Sequence, residues 1–247
     1  MSMGQPRHEL KFILHGAWKK EFLDQVQFGL LPDPHAGPTG DYRVTSLYYD
    51  TDDFQAFYEK LDGVLRRRKF RLRTYGSGEE TDPPYFFEIK HRYAQMISKE
   101  RAKIPKECAL KLYENELSPH DIPSLVEGFS HSIAHQVENN HPFYPLRPKV
   151  VVSYVRQAWI GRIDPSLRVT FDYNLSAHPP DDYLSAGVVN GQNFLPLDEV
   201  VLEVKFDHQL PRWLQQRLVS CGLRPVRYSK YVEAQLSRHQ GAAPVCC

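Results

Sequence analysis

The 247-residue chain carries 31 Lys and Arg against 30 Asp and Glu, a formal net charge of +1, with 41% hydrophobic and 25% charged residues. That is the composition of a globular protein with a sizeable core, and it excludes a disordered chain and the global basic excess of many nucleic-acid binders. No apolar run approaches the roughly 18 residues of a membrane-spanning helix, and the length suits one large core.

In chain order, β-branched or alternating runs bounded by Gly, Pro, Asp or Asn predict strands, and 3.6-residue patterns predict helices. A strand at 7–14 (RHELKFIL) precedes a helix from Trp18 to Leu31, and a strand at 42–50 (YRVTSLYYD) precedes a helix from Phe54 to Leu61. Strands at 64–75 and 85–92 flank the turn-rich loop GSGEETDPP at 76–84. A strand at 97–104 leads into an insert of about 106–140 that reads as two helices. Strands at 148–159, 167–173 and 199–207 follow, with the loop HPPDDY between the last two. Pro211 opens a helix through Val219, and Ser229 to Arg238 forms a closing helix. The pattern predicts a mainly β (α+β) fold in a single domain over 1–247, with its core at about 7–235.

Side chains alternate faces along a strand, so charged residues can be assigned sides by counting in twos. Arg7, Glu9 and Lys11 share one face, opposite Leu10, Phe12 and Leu14; Lys69, Arg71 and Arg73 lie opposite Phe70 and Leu72. Glu88 and Lys90 oppose Phe87 and Ile89, and Lys99 and Arg101 share a face. Arg156 follows Tyr154 on one face; Arg168, Thr170 and Asp172 oppose Val169 and Phe171; Glu203 and Lys205 oppose Leu202 and Val204.

Charged faces that look at solvent over a sandwich core of apolar faces are the ordinary explanation of such alternation in a water-exposed sheet. The bias towards Arg and Lys, together with apolar helices available to cover the other faces, predicts an eight-stranded antiparallel β-barrel tunnel with its charges inside. Two unit charges about 8 Å apart repel by roughly 2 kcal/mol at an effective dielectric of about 20, so such a lumen needs counter-charge. Glu9, Glu88, Asp172 and Glu203 supply part of it, and a dense anion such as a chain of phosphates would supply the rest.

The segments RHELKF, SLYYDTDDFQAFYEKLDG, RKFRLRTYG, FFEIKHR, SKERAKI, SYVRQAW, LRVTFD, VVLEVKFD and YSKY, in this order, resemble the VTC domain of polyphosphate polymerases, within the CYTH-like triphosphate tunnel superfamily. The resemblance implies a metal-dependent enzyme, commonly using Mn²⁺ (or Mg²⁺), that extends inorganic polyphosphate from the γ-phosphate of ATP. Carried over by motif, Lys11, Arg71, Arg73, Lys90, Lys99, Arg156, Arg168 and Lys230 would contact phosphates, and Glu203 would hold the metal. Lys69, Arg101, Lys205 and Tyr231 join Lys230 as substrate-binding candidates, and Tyr231 could equally support the closing helix.

Hydrolytic members of the superfamily usually carry ExExK on the first strand; here the pattern is Arg7-x-Glu9-x-Lys11. The change looks more like the VTC variant and favours transfer over hydrolysis, although Glu9, Glu88 and Glu203 offer oxygen ligands for Mg²⁺ or Mn²⁺. A triphosphatase and a non-catalytic polyphosphate-binding module remain as alternatives.

Four cysteines, Cys108, Cys221, Cys246 and Cys247, form no CxxC pair and no disulfide framework, which fits a reducing compartment. The N-terminus lacks a signal-peptide hydrophobic region, so a cytoplasmic address is expected, with a membrane partner left open. His131 and His135 have the i, i+4 spacing of metal ligands without the Glu of a zinc protease, and read as surface residues. Phosphate-loop, nucleophile-elbow and dinucleotide fingerprints are absent.

Overall fold

A computed structural model describes residues 7–34, 36, 40–76, 83–94, 96–119, 121–122 and 145–241. The strands are β1 (Arg7–His15), β2 (Leu30–Pro32), β3 (Asp41–Asp50), β4 (Arg66–Tyr75), β5 (Tyr85–Tyr93), β6 (Met96–Ile104), β7 (Arg147–Gly161), β8 (Arg168–His178), β9 (Gln192–Asn193) and β10 (Glu199–Phe206). Five helices are described: α1 (Gly16–Val26), α2 (Gln55–Leu61), α3 (Lys106–Tyr113), α4 (Arg212–Ser220) and α5 (Lys230–Gly241).

Eight strands close into an antiparallel barrel in the order β7-β3-β4-β5-β6-β1-β10-β8, and β8 pairs back onto β7. Closure pairs most of the strand length within the ring, and beyond the short contact of β1 with β6 the Lys11 carbonyl accepts from the Val226 amide instead. The narrowest seam joins β1 to β6 through Arg7↔Ile97 and His8↔Met96 alone. The short strands β2 and β9 attach to β7 and β8.

Alternation gives each strand two faces, and both are buried. One outer cluster sets Leu47, Phe70, Leu72, Phe87, Ile89 and Ile104 against Ala109 and Leu112 of α3. A second sets Phe12, Leu14, Val169, Phe171, Leu202 and Val204 against Phe22 and Val26 of α1 and Leu214 and Leu218 of α4. Each such side chain contributes about 1.5–3 kcal/mol on burial, which holds the helices to the barrel wall. A third cluster belongs to inward faces: Tyr48, Val150, Val152, Tyr154 and Val201 meet Tyr231, Val232 and Ala234 of α5. The closing helix therefore docks on a patch of inward-facing apolar wall, and the remaining inward faces carry the charge.

Three expectations need adjustment. The helix expected over 18–31 ends at Val26, and Gln27–Gly29 forms a 3₁₀ turn into β2. At Gly29 a Cβ would come within 2.6 Å of the Trp213 ring, so α4 packs directly on bare backbone there. Strand β7 runs on to Gly161, where β2 and the start of β8 pair with its last residues, and β8 runs on to His178, pairing with β7 again past a register shift between Ser153 and Val155. In the insert α3 is present; the second helix expected there lies outside the described residues, as do His131, His135, most of the 76–84 loop and the terminal cysteines.

Candidate functional site: a basic chamber in the barrel

Inward-facing side chains of β1, β3, β4, β5, β7 and β10 meet the start of α5 around a chamber. Its cavity volume of about 110 Å³ exceeds the ~10–15 Å³ that one water needs, so the polar interior has room for several waters. Eleven basic side chains line it against two carboxylates, Glu9 and Glu203.

Three buried carboxylate clusters organise the cations. Glu88, fully buried on β5, accepts from Arg71 Nε at 2.7 Å and Nη2 at 2.6 Å, with Lys99 at 3.0 Å, Arg101 at 3.3 Å and Arg73 at 3.6 Å. Asp172 on β8 takes a two-pronged grip from Arg156, at 2.6 and 2.7 Å, and the Lys230 ammonium at 2.6 Å. Glu203 on β10 faces Lys230 at 2.7 Å, Lys205 at 2.9 Å, Lys11 at 3.2 Å and Arg156 at 3.6 Å. Glu9 beside it faces Lys90 at 3.0 Å, Lys205 at 3.5 Å and Lys11 at 3.9 Å.

These contacts shift the protonation equilibria of the cluster. Burial pushes the carboxyls of Glu88, Glu203 and Glu9 up, but the surrounding cations outweigh it and hold all three below the usual carboxylate range. Lys90 moves the other way: burial, then Lys11 and Lys205, overcome the attraction of Glu9 and bring it down to about 7. Burial lowers Lys99 to about 8 despite Glu88. Lys69 is held well below its ordinary value by burial and by Lys90 and Lys11, and donates to Ser229 Oγ at 2.6 Å. Lys230 is raised, because Asp172 and Glu203 outweigh the burial that opposes its charge.

Two tyrosines link the wall to α5. Arg71 donates to the Tyr48 hydroxyl at 3.1 Å, and the Tyr48 and Tyr231 rings stack at 5.2 Å. The Tyr231 hydroxyl donates to Asp50 at 2.5 Å, and Asp50 also accepts from the Ala56 and Phe57 amides at the start of α2.

Of the residues singled out in the sequence, Lys11, Lys69, Arg71, Arg73, Lys90, Arg156, Glu203, Lys205, Lys230, Tyr231 and Glu9 line the chamber together. Others do not. Lys99 and Arg101 stand behind the Glu88 cluster, with Arg101 stacked 3.5 Å over Phe86. Arg168 pairs with Asp33, and Arg7 is half exposed against Asp207 at 3.2 Å. Glu88, an expected metal ligand, is enclosed by four cations, which leaves its oxygens no side open to the chamber.

Counting in twos from Lys69 and Lys90 would have reached two lining residues that were missed, Arg67 and Arg92. Lys60 on α2 and Ser229 before α5 left no strand signal, since tertiary packing brings them to the chamber.

Among the described residues no group of three or more His, Cys, Asp or Glu converges as a preformed metal cluster. Glu203 and Glu9, sharing Lys11 and Lys205, are the carboxylates that face the chamber. One or two carboxylates completed by substrate phosphate oxygens are a donor set that suits Mg²⁺ or Mn²⁺, so the residues fit such an ion.

A closed antiparallel barrel whose inward faces gather basic side chains around a polar chamber defines the class: a β-barrel tunnel fold with a basic interior. More narrowly, the chain belongs to the VTC domain family, whose model matches residues 6–239. Among solved structures it is similar to a candidate adenylate cyclase from Bacillus halodurans, at 14% identity over 93% of this chain and 96% of that one, with a TM-score of 0.53. It is likewise similar to a candidate adenylyl cyclase from Hippeastrum described with a dominant triphosphatase activity, at 15% identity over 97% and 98% of the two chains, TM-score 0.53. These likenesses concern the fold. Among curated proteins no relative matches the chain. No described helix is long and apolar enough to cross a membrane.

Proposed function

We propose that the chamber transfers the γ-phosphoryl group of ATP to the end of an inorganic polyphosphate chain. The observation that carries this reading is the imbalance in one cavity: eleven basic side chains line it against two carboxylates, and Glu88 and Asp172 in the wall behind offset only part of the excess, which a dense linear anion would neutralise. Phosphoryl transfer asks little covalent chemistry of a protein; it needs aligned oxygens and positive charge where negative charge develops.

In this reading Arg71, Arg73 and Arg156 grip phosphate oxygens through their planar forks while Lys11, Lys90 and Lys230 add movable point charges. The terminal oxygen of the polyphosphate chain attacks the γ-phosphorus, the bond from that phosphorus to the β,γ-bridging oxygen breaks, and ADP leaves with the electron pair. The chain grows by one phosphate. Glu203 and Glu9 would hold Mn²⁺ or Mg²⁺, which when bound supplies further charge neutralisation on the phosphates. Arg7, turned towards Asp207, removes one carboxylate from the first strand, which favours transfer over attack by a carboxylate-directed water.

Incubating the protein with ATP and Mn²⁺ tests the reading. Long polyphosphate on a gel is expected, and Glu203→Gln should abolish the metal-dependent turnover. Orthophosphate with ADP, or pyrophosphate with AMP, as sole products would make the protein a hydrolase; tight polyphosphate binding without turnover would make it a binding module.

A further inference from the structure

Beyond the end of β8 the chain forms a strap, residues 179–193, that packs on the outer wall of the barrel and returns to pair with the same strand. Its near half is tied to the wall: Tyr183 and Ala186 are buried with Leu47, Tyr49 and Val151, and the Tyr113 hydroxyl of α3's last residue donates to the Asp181 carbonyl. Its far half is β9, which pairs with Ser176 and Ala177. From β9 the Gln192 amide donates to the Ser237 carbonyl of α5 at 2.7 Å, so the strap also holds the outer half of the closing helix.

His178, the last residue of β8, is the pin beneath this strap and is 1% exposed. Gly191 lies on its ring: a Cβ there would overlap Nε2 and come within 2.5 Å of Cε1, so the strap closes only over bare backbone. The Ser176 hydroxyl stands 2.9 Å from Nε2 and reaches the Ser153 carbonyl at 3.4 Å, a chain that a neutral ring donating from Nε2 satisfies. Nδ1 is buried with no polar partner among the described residues. In the neutral ring that atom is only an unused lone pair. A protonated ring must donate from both nitrogens, which strands one buried N–H.

The charges that face the ring are Asp182 from the strap, Arg238 from α5 and Arg43 from β3, and its partner across on β7 is the apolar Val151. Two cations against one carboxylate oppose a further positive charge in a sealed position. Burial first, then Arg238 and Arg43, hold the imidazole below its ordinary 6.5, although Asp182 pulls the other way. A group depressed in this sense stabilises the fold above its ordinary value and loses that contribution as pH falls through the folded one.

We propose that His178 is an acid-sensitive pin whose protonation unlatches the strap from β8, frees Ser237 from Gln192 and loosens α5 over the chamber. The proposal concerns the closing helix and holds whatever substrate the chamber takes.

Hydrogen–deuterium exchange of the whole chain, read by mass spectrometry at about pH 7.5 and about pH 5.5 and corrected for the intrinsic rate at each, tests it. On acidification, peptides covering β9 and the outer half of α5 should lose protection by at least about threefold while β4 holds. His178→Gln keeps an amide donor for Ser176 and takes up no proton, so there the difference between the two pH values should vanish. His239, exposed on the same helix against Phe54, is still present in that variant and serves as the internal control. Two further variants keep the ring and move its midpoint: Asp182→Asn removes attraction and should shift the transition to lower pH, and Arg238→Gln removes repulsion and should shift it to higher pH. If His178→Gln exchanges rapidly at both pH values, these two charge variants decide. Protection of β9 that is unchanged on acidification, pH dependence that survives in His178→Gln, or midpoints that fail to move apart would each overturn the pin.

Discussion

Two carboxylate clusters in the same barrel use similar residues for different ends. Glu88 is ringed by Arg71, Arg73, Lys99 and Arg101, and Glu203 by Lys11, Lys205, Lys230 and Arg156. The first is a knot about a fully buried carboxylate in which three of four partners are guanidinium groups, and Arg71 and Arg73, which also face the chamber, are tied again to Tyr48 and Ser46. The second borders the chamber and is mostly lysine, whose ammonium groups swing on flexible stems. Charge count alone therefore does not separate scaffold from site. What separates them is whether the carboxylate keeps a side open to the cavity and whether its cations are fixed forks or movable points.

The strongest way to break this comparison is to neutralise each centre in turn. Glu88→Gln keeps the shape and leaves four cations around a neutral group, so it should cost about 3–5 kcal/mol of stability, the usual penalty for removing one side of a buried ionic cluster. At 2–4 °C per kcal/mol for a chain of this size, the melting temperature should drop by about 10 °C. Glu203→Gln should cost less stability, because water in the chamber re-solvates its lysines. Thermal unfolding of both variants checks the order, and equal losses would erase the distinction between knot and site.

The inward charge was legible in the sequence because a strand has a period of two: Lys69, Arg71 and Arg73 had to share a side, and so did Glu203 and Lys205. Closure of the barrel followed from eight such strands with apolar outer faces. The division between knot and chamber was not legible, since it depends on cross-strand register. Arg71 stands opposite Glu88, and Arg101 flanks Glu88 from the other side; no periodicity within one strand reports that. Nor could the sequence foretell that α5 would dock on Tyr48, Val150 and Val152, residues whose alternation reads as ordinary strand.

A smaller effect sharpens the comparison by probing what holds the open cluster. Lys230 reaches Asp172 and Glu203 from the first residue of α5, and the next residue, Tyr231, anchors that helix to Asp50. Tyr231→Phe removes one buried hydrogen bond while the Ala56 and Phe57 amides continue to serve Asp50, so the expected loss is about 1 kcal/mol, or roughly 2–4 °C. Under the proposed reaction the Michaelis constant for ATP should rise with little change in turnover number, since Lys230 is loosened and not removed. Steady-state kinetics beside a melting curve would separate that positioning effect from plain destabilisation.

The smallest predicted effect concerns the one lysine in the Glu88 knot. Lys99 is partly exposed, and burial brings it down to about 8 although Glu88 pulls the other way. Between that value and its ordinary 10.5 the unfolded chain holds more protons than the folded one, so the contribution of Lys99 to stability rises with pH across this window. Ligand affinity should run in the opposite direction, because the neutral amine attracts phosphate less. From pH 7 to pH 9 the affinity for tripolyphosphate should therefore fall by roughly two- to fivefold, a modest change because solvent screens a partly exposed charge. The arginines of the knot stay charged throughout, so Lys99→Arg should remove the part of the profile centred near pH 8 while keeping the partner of Glu88 in place; the part near pH 7 belongs to Lys90 of the chamber. Calorimetric titration in metal-free buffer reads both slopes. A slope near pH 8 that survives unchanged in the arginine variant would move that titrating group out of the knot and into the open lysine cluster, which would sharpen the division between the two regions.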